Sequence, residues 1–186
     1  EPFVKMMQAV ATEALKQSAG AVQVTPEIQR LIDDVRLTTK ENVQFARGQV
    51  AGGQADNRVG SYLHFTGKVG VLVELQIAGG ALSDELLSDL CMHVTAISPS
   101  PLGICEADIA ADIVEREKQI AKAQAIEQGK PEAIAEKMVV GKLRKFYEEH
   151  CLNLQVFIKD DKKRIKDLLP QGVTIKSFVR YQVGVR

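Results

Sequence analysis

Apolar residues change period along this chain, and each change marks an element. From Val59 to Ala78 (VGSYLHFTGKVGVLVELQIA) two runs rich in β-branched and aromatic residues flank Thr66-Gly67-Lys68. There the glycine supplies the positive φ that a short hairpin loop needs. In the second run Val69, Val71, Val73 and Leu75 share one face at period two, and Gly70, Leu72, Glu74 and Gln76 share the other. This predicts an antiparallel sheet with one face packed on a core, and the flanking elements are expected to cover that face or support what the sheet presents.

A helical period governs much of the rest. Residues 2–19 put Phe3, Met6, Met7, Val10 and Ala14 on one face, with Gly20 as a stop; Met6 and Met7 are read as core. Thr25-Pro26-Glu27 offers an N-cap, a pre-set first turn and an early acidic residue, and Ile28, Leu31, Ile32 and Val35 follow at helical spacing. Residues 42–50 alternate weakly (Val43 and Phe45 against Gln44 and Ala46) and read as a strand. Residues 51–58, AGGQADNR, form a polar loop and the best internal boundary.

Beyond the hairpin, Ser83-Asp84-Glu85 begins a helix with a Leu86, Leu87, Leu90, Val94 and Ile97 stripe, ended by Ser98-Pro99-Ser100-Pro101. Residues 106–128 and 131–150 are two long segments joined by Gly129-Lys130-Pro131, which suit a helix stop and a first helical position. Their apolar content is thin: Ile109, Ile113, Ile120 and Ile126 on one, Ile134, Met138, Leu143 and Phe146 on the other. That suits a protruding antiparallel helical hairpin better than helices buried on all sides. Residues 152–158 are a short apolar stretch and 162–169 a short helix halted by Pro170 and Gly172. Residues 173–183 form a strand with Val173, Ile175, Val179, Tyr181 and Val183 on one face. This last strand is expected to pair with the hairpin, the helical arm being an insertion.

Composition narrows the function classes. The 186 residues can bury a core in one or two small domains, and Lys+Arg and Asp+Glu balance at 24 each. No global field steers such a chain onto nucleic acid or an anionic membrane, so neither is an expected partner. Cys91, Cys105 and Cys151 are an odd set without C-x-x-C spacing, which argues against a disulfide framework or structural zinc and for a reducing compartment. No apolar run approaches the roughly 20 residues of a membrane span. Because it starts at Glu1, without an initiator Met or signal-like segment, the chain reads as a cut through a longer protein. Gly67-Lys68 lacks the rest of a phosphate-binding loop, and Gly48, Gly52 and Gly53 open no helix. With no metal spacing and no Ser-His-acid set, no catalytic residue, metal or cofactor is expected.

Several stretches carry a resemblance: Gly60-Ser61-Tyr62-Leu63-His64, Lys68-Val69-Gly70-Val71-Leu72-Val73, Met92-His93-Val94, and above all GKPEAIAEKMV (129–139) followed by GKLRKF (141–146). Together they resemble the elongation factor Ts family, across essentially the whole chain and most strongly from Val59 to Val183. The resemblance implies an α+β fold of two small subdomains, with antiparallel sheets packed by helices and a helical-hairpin insertion. Residues 1–58 would be a partial N-terminal core subdomain, 59–105 with 151–186 the C-terminal one, and 106–150 the insertion. It implies a protein partner, elongation factor Tu, whose GDP/GTP exchange the family promotes by favouring the nucleotide-free state, without bond chemistry. The expected compartment is then a bacterial cytoplasm, or a mitochondrial or plastid matrix.

The partner-binding residues so implied are Tyr62, Leu63, His64, Gln155, Phe157 and Ile158. His64 stands beside the turn and matches the family's Ser-Tyr-x-His pattern; the plainer reading is a histidine that shapes the turn. Phe157 and Ile158 are interface residues or core. His93 falls within a Leu/Val stripe and is read as packed core, and His150 as a helix-end cation. The arm's charges, including Glu115, Arg116, Glu117 and Lys118, are a solvated face or an accessory docking surface.

Three departures qualify the resemblance. The family's N-terminal helical domain and its Thr-Asp-Phe-Val segment are not in this sequence, Val156 stands where the family usually has Pro, and Lys40 where many relatives have Gly. The rival reading is a non-exchanging Tu-binding or scaffolding module; a small-molecule enzyme is the third class.

Overall fold

The computed structural model describes residues 2–129 and 131–184. It is an α+β fold of two compact units, Glu1–Asn57 and Arg58–Arg186.

In the first unit, α1 (Pro2–Ala14) and α2 (Pro26–Thr39) bury Met6, Val10, Ile28, Ile32 and Val35 between them. The Thr25 hydroxyl caps α2 by accepting from the Ile28 N–H (3.2 Å), as its sequence predicts. Helix α1 stops at Ala14, short of Ala19, because the Gln17 side chain pairs with the Gln23 backbone in both directions and draws the chain into a strand. Phe3 and Met7 flank the buried Met6–Val10–Ala14 stripe and are exposed, which corrects the reading of Met7 as core. The expected strand over 42–50 shrinks to β2 (Gln49–Val50), paired antiparallel with β1 (Gly20–Ala21). A ladder needs a partner, and β1 offers two residues. Val43 and Phe45 instead fold onto the helical core.

The second unit is built on a three-stranded antiparallel sheet in the order β3 (Asn57–Leu63), β4 (Val69–Ile77), β7 (Val173–Gln182). The last strand pairs with the hairpin as expected. Val71, Val73 and Leu75 face a core closed by Leu87, Leu90, Cys91 and Val94 of α3 (Asp84–Ala96), capped by the Ser83 hydroxyl. Strand β7 does not keep one face throughout. Ile175 pairs with Leu75 and Ser177 with Glu74, so Lys176 is an extra residue, a β-bulge. Past it Phe178, opposite Val73, turns to the core, while Val179 and Tyr181 lie opposite Leu72 and Gly70 on the other face. The expected shared face of Val173, Ile175, Val179 and Tyr181 is thereby broken, since one added residue inverts a period-two pattern.

Between α3 and β7 run α4 (Ala111–Glu127) and α5 (Glu132–His150), packed on each other. Residues 106–108 form a separate 3-10 turn in which the Asp108 carboxylate accepts the Ile104 and Cys105 N–H groups (2.9 and 2.8 Å). Pro131 sits at the N-cap of α5, one place earlier than expected. The buried seam consists of Ala121, Ala125 and Ala135, and the expected Ile120, Ile126 and Ile134 are exposed. Small side chains bring helix axes closer than isoleucines would.

After α5 come β5 (Val156–Phe157), β6 (Asp160–Arg164) and α6 (Ile165–Leu168). The helix expected over 162–169 is thus half strand: pairing with β5 takes residues 160–164, and the Asp167 carboxylate accepting the Arg164 N–H (3.1 Å) starts the helix late. Among the described residues no helix is long and apolar enough to cross a membrane.

Gly60 on β3 lies against α3, and a Cβ there would stand 2.6 Å from Leu87 Cγ and 3.0 Å from Cys91 Sγ. Gly60→Ala is expected to destabilise the fold by about 1–3 kcal/mol through overpacking, read as a lower urea midpoint with unchanged m-value.

Candidate functional site

The β3–β4 loop is closed from the backbone. The His64 N–H donates to the Val69 carbonyl (2.9 Å) and the Gly67 N–H to the His64 carbonyl (2.8 Å), with Gly67 at φ 68. Glycine is needed at that φ because a Cβ would strain it. The His64 imidazole is held by Thr66, whose Oγ1 lies 2.8 Å from Nδ1, leaving Nε2 unpartnered among the described residues. Its ring contacts Phe65 (centroids 4.4 Å apart) and meets Tyr62 edge-on at 6.4 Å. Tyr62 packs against the core, whereas Leu63 is 71% and Phe65 89% exposed. Two large apolar side chains with an imidazole between them thus stand on a rigid tip.

A second cluster surrounds the β5–β6 turn. Phe157 is buried and anchors it, while Val156 and Ile158 are 46% and 48% exposed. Gln155 is 2% exposed, and its amide is wholly engaged inside. Its Oε1 lies 3.2 Å from His93 Nε2, and its NH2 donates to the carbonyls of Pro99 (3.2 Å) and Glu149 (2.7 Å). The expectation of Gln155 as a partner contact is therefore corrected: it joins the C-terminal ends of α3 and α5 to β5. Phe157 likewise belongs to the core. His93 is fully buried, as expected, and its Nδ1 accepts the Ile158 N–H (3.3 Å). That bond requires the Nε2–H tautomer, which in turn donates to Gln155.

Burial holds the His93 imidazole below the ordinary histidine range, a shift the Gln155 contact only partly offsets. Burial also raises the thiols of Cys91 and Cys151 to about 11, so both are structural; Cys105 is exposed. His150 closes α5 with Nδ1 2.9 Å from the Phe146 carbonyl and its ring stacked on Phe146, a helix-end role.

Comparison with known proteins fits this architecture. The family described as Elongation factor TS matches residues 1–185. The chain belongs to the elongation factor Ts family. It is similar to the elongation factor Ts of Syntrophomonas wolfei subsp. wolfei, with 33% identity over 200 residues covering 96% of this chain and 91% of that protein. Against the elongation factor Ts of Anaeromyxobacter dehalogenans the identity is 36% over 184 residues, covering 92% and 79%. Against that of Trichlorobacter lovleyi it is 34%, covering 92% and 58%. Membership places the chain among the elongation factors of protein biosynthesis.

Of the residues this family resemblance nominates, Leu63 and His64 stand at the first tip and Ile158 at the second turn. Tyr62 is half-buried beneath the first. Sequence reasoning passed over Phe65, although a phenylalanine beside a hairpin turn, outside the alternation of either strand, was a usable signal. It also passed over Asp89, which precedes His93 by one helical turn on α3 and pairs with Lys159 (2.6 Å).

Unfolded, His93 takes up a proton near pH 6.5; folded, it does so only at lower pH. The stability this group lends is complete above the unfolded value and declines as pH falls below it. His93→Asn removes the titration. The stability gap between wild type and His93→Asn should therefore narrow between about pH 7.5 and about pH 5, by at most about 1.4 kcal/mol per pH unit. Urea unfolding across that range checks this, and a constant gap contradicts it.

Proposed function

We propose that this chain binds elongation factor Tu and accelerates GDP/GTP exchange on it by favouring the nucleotide-free conformation. The single structural observation behind this reading is the exposed Leu63–His64–Phe65 tip, an apolar knob with an imidazole on a backbone-closed loop. Isolated exposed apolar residues are ordinary, but a contiguous pair on a rigid hairpin end is the form of an interface anchor. Burying Phe65 against a partner would contribute about 1.5–3 kcal/mol. Ile158, with Val156, supplies a second apolar contact, and the helical hairpin of residues 106–150 is an insertion that lends an accessory surface.

Exchange needs no bond chemistry in this scheme. A protein that binds the nucleotide-free form of a GTPase more tightly than the loaded form must, by linkage, loosen the nucleotide by the same factor. Such a partner puts the chain where translation takes place, in a bacterial cytoplasm or an organelle matrix.

The test is release of a fluorescent GDP from elongation factor Tu with and without this chain, beside affinity for nucleotide-free Tu. The expected result is accelerated release. Binding without acceleration would instead identify a non-exchanging module. His64→Ala should weaken the complex by roughly 1–2 kcal/mol and Phe65→Ser by at least as much, with thermal stability kept, since interface energy concentrates in few residues. Unchanged affinity with lower stability in His64→Ala would assign that residue to the turn alone.

A further inference from the structure

The turn between β5 and β6 consists of Ile158 and Lys159, and both are held by one face of α3. The Ile158 N–H donates to His93 Nδ1 at 3.3 Å, and the Lys159 ammonium pairs with the Asp89 carboxylate at 2.6 Å. Asp89 and His93 are one helical turn apart, so their side chains project in the same direction. Neither is a surface recognition group: His93 is buried and the Asp89 side chain nearly so. His93 is itself locked through Nε2 to Gln155, whose amide is tied to Pro99 and Glu149. Asp89, one turn before His93, pairs with Lys159, and Glu149 meets the network through its backbone carbonyl.

We infer that Asp89 and His93 are positioning residues that clamp the Ile158-Lys159 turn, so that Ile158 is presented to the partner as a preformed apolar knob. This rests on the reading of Ile158 as a partner contact. A two-residue turn on strands as short as β5 and β6 has little to hold it by its own pairing, which a register shift between Val156 and Phe157 further weakens. Fixing the turn beforehand removes the ordering cost that binding would otherwise carry. The ion pair is partly exposed and ties Lys159 to α3; the imidazole contact is buried and fixes the backbone.

Three variants separate this from mere core packing. Asparagine at 93 keeps an acceptor where Nδ1 stood, glutamine keeps only the contact toward Gln155, and Ile158→Ala removes the knob. In the whole chain, His93→Gln should speed hydrogen–deuterium exchange at the Ile158 amide and weaken binding to nucleotide-free elongation factor Tu roughly three- to tenfold. His93→Asn should restore both. In an Ile158→Ala background His93→Gln should weaken binding no further, because the two act through one contact. An equal loss in that background, or an Ile158 amide that exchanges freely in the wild type, overturns the clamp. Should the wild type fail to bind Tu at all, the partner reading falls, while Ile158 exchange in the free chain still decides whether the clamp exists.

Discussion

Pairing of β4 with β7 closes the second unit over its own helical arm, and most other features depend on it. A β-hairpin alone is marginal in water. The β3–β4 pair becomes a platform only when residues from the end of the chain complete the sheet and α3 covers the inner face. The intervening arm is tolerable because closure entropy grows only with the logarithm of loop length. Register is set by side chains: Val73 and Leu75 on β4 demand Phe178 and Ile175 opposite them on β7, and the Lys176 bulge makes both fit. On the other face Glu74 is buried beside Ser177, whose hydroxyl donates to its carboxylate at 2.9 Å, so this side of the sheet also discriminates between registers.

Helix α3 transmits that order to both candidate contact regions. Its Leu87 and Cys91 receive β3 at Gly60, where only a hydrogen fits, and so fix the strand leading to the Leu63–Phe65 tip. Its Asp89 and His93 reach the turn at Ile158 and Lys159. One rigid element thus supports two apolar projections. Presenting such residues on rigid supports keeps them exposed without letting them collapse onto the core, and lowers what a partner must order on docking. The buried thiols and the locked imidazole are held in neutral forms by their surroundings.

The helical arm follows a different packing rule from the core. Its seam of alanines brings α4 and α5 together, with Lys142 reaching across to Gln124. Ile120, Ile126 and Ile134 lie on the outside. Stability there rests on close backbone approach and helix propensity more than on large buried side chains.

What the chain settled by itself was everything governed by a few neighbouring residues. The Thr25 and Ser83 caps, the Gly67 turn, the Ile28–Ile32–Val35 and Leu87–Leu90–Val94 stripes and the alternation of β4 were all legible, because capping and periodicity act within one or two turns. The motifs around His64 and residues 129–146 carried the family likeness as well. Tertiary structure decided the rest. Whether residues 42–50 pair depended on how much strand β1 offers. Which face Val179 takes depended on one bulge set by Glu74 and Phe178, and whether alanine or isoleucine lines the arm depended on how near the second helix comes. Gln155, which the family resemblance made a partner contact, is instead enclosed by Pro99, Glu149 and His93. Those outcomes turn on partners far away in the sequence, whose distances no local pattern encodes.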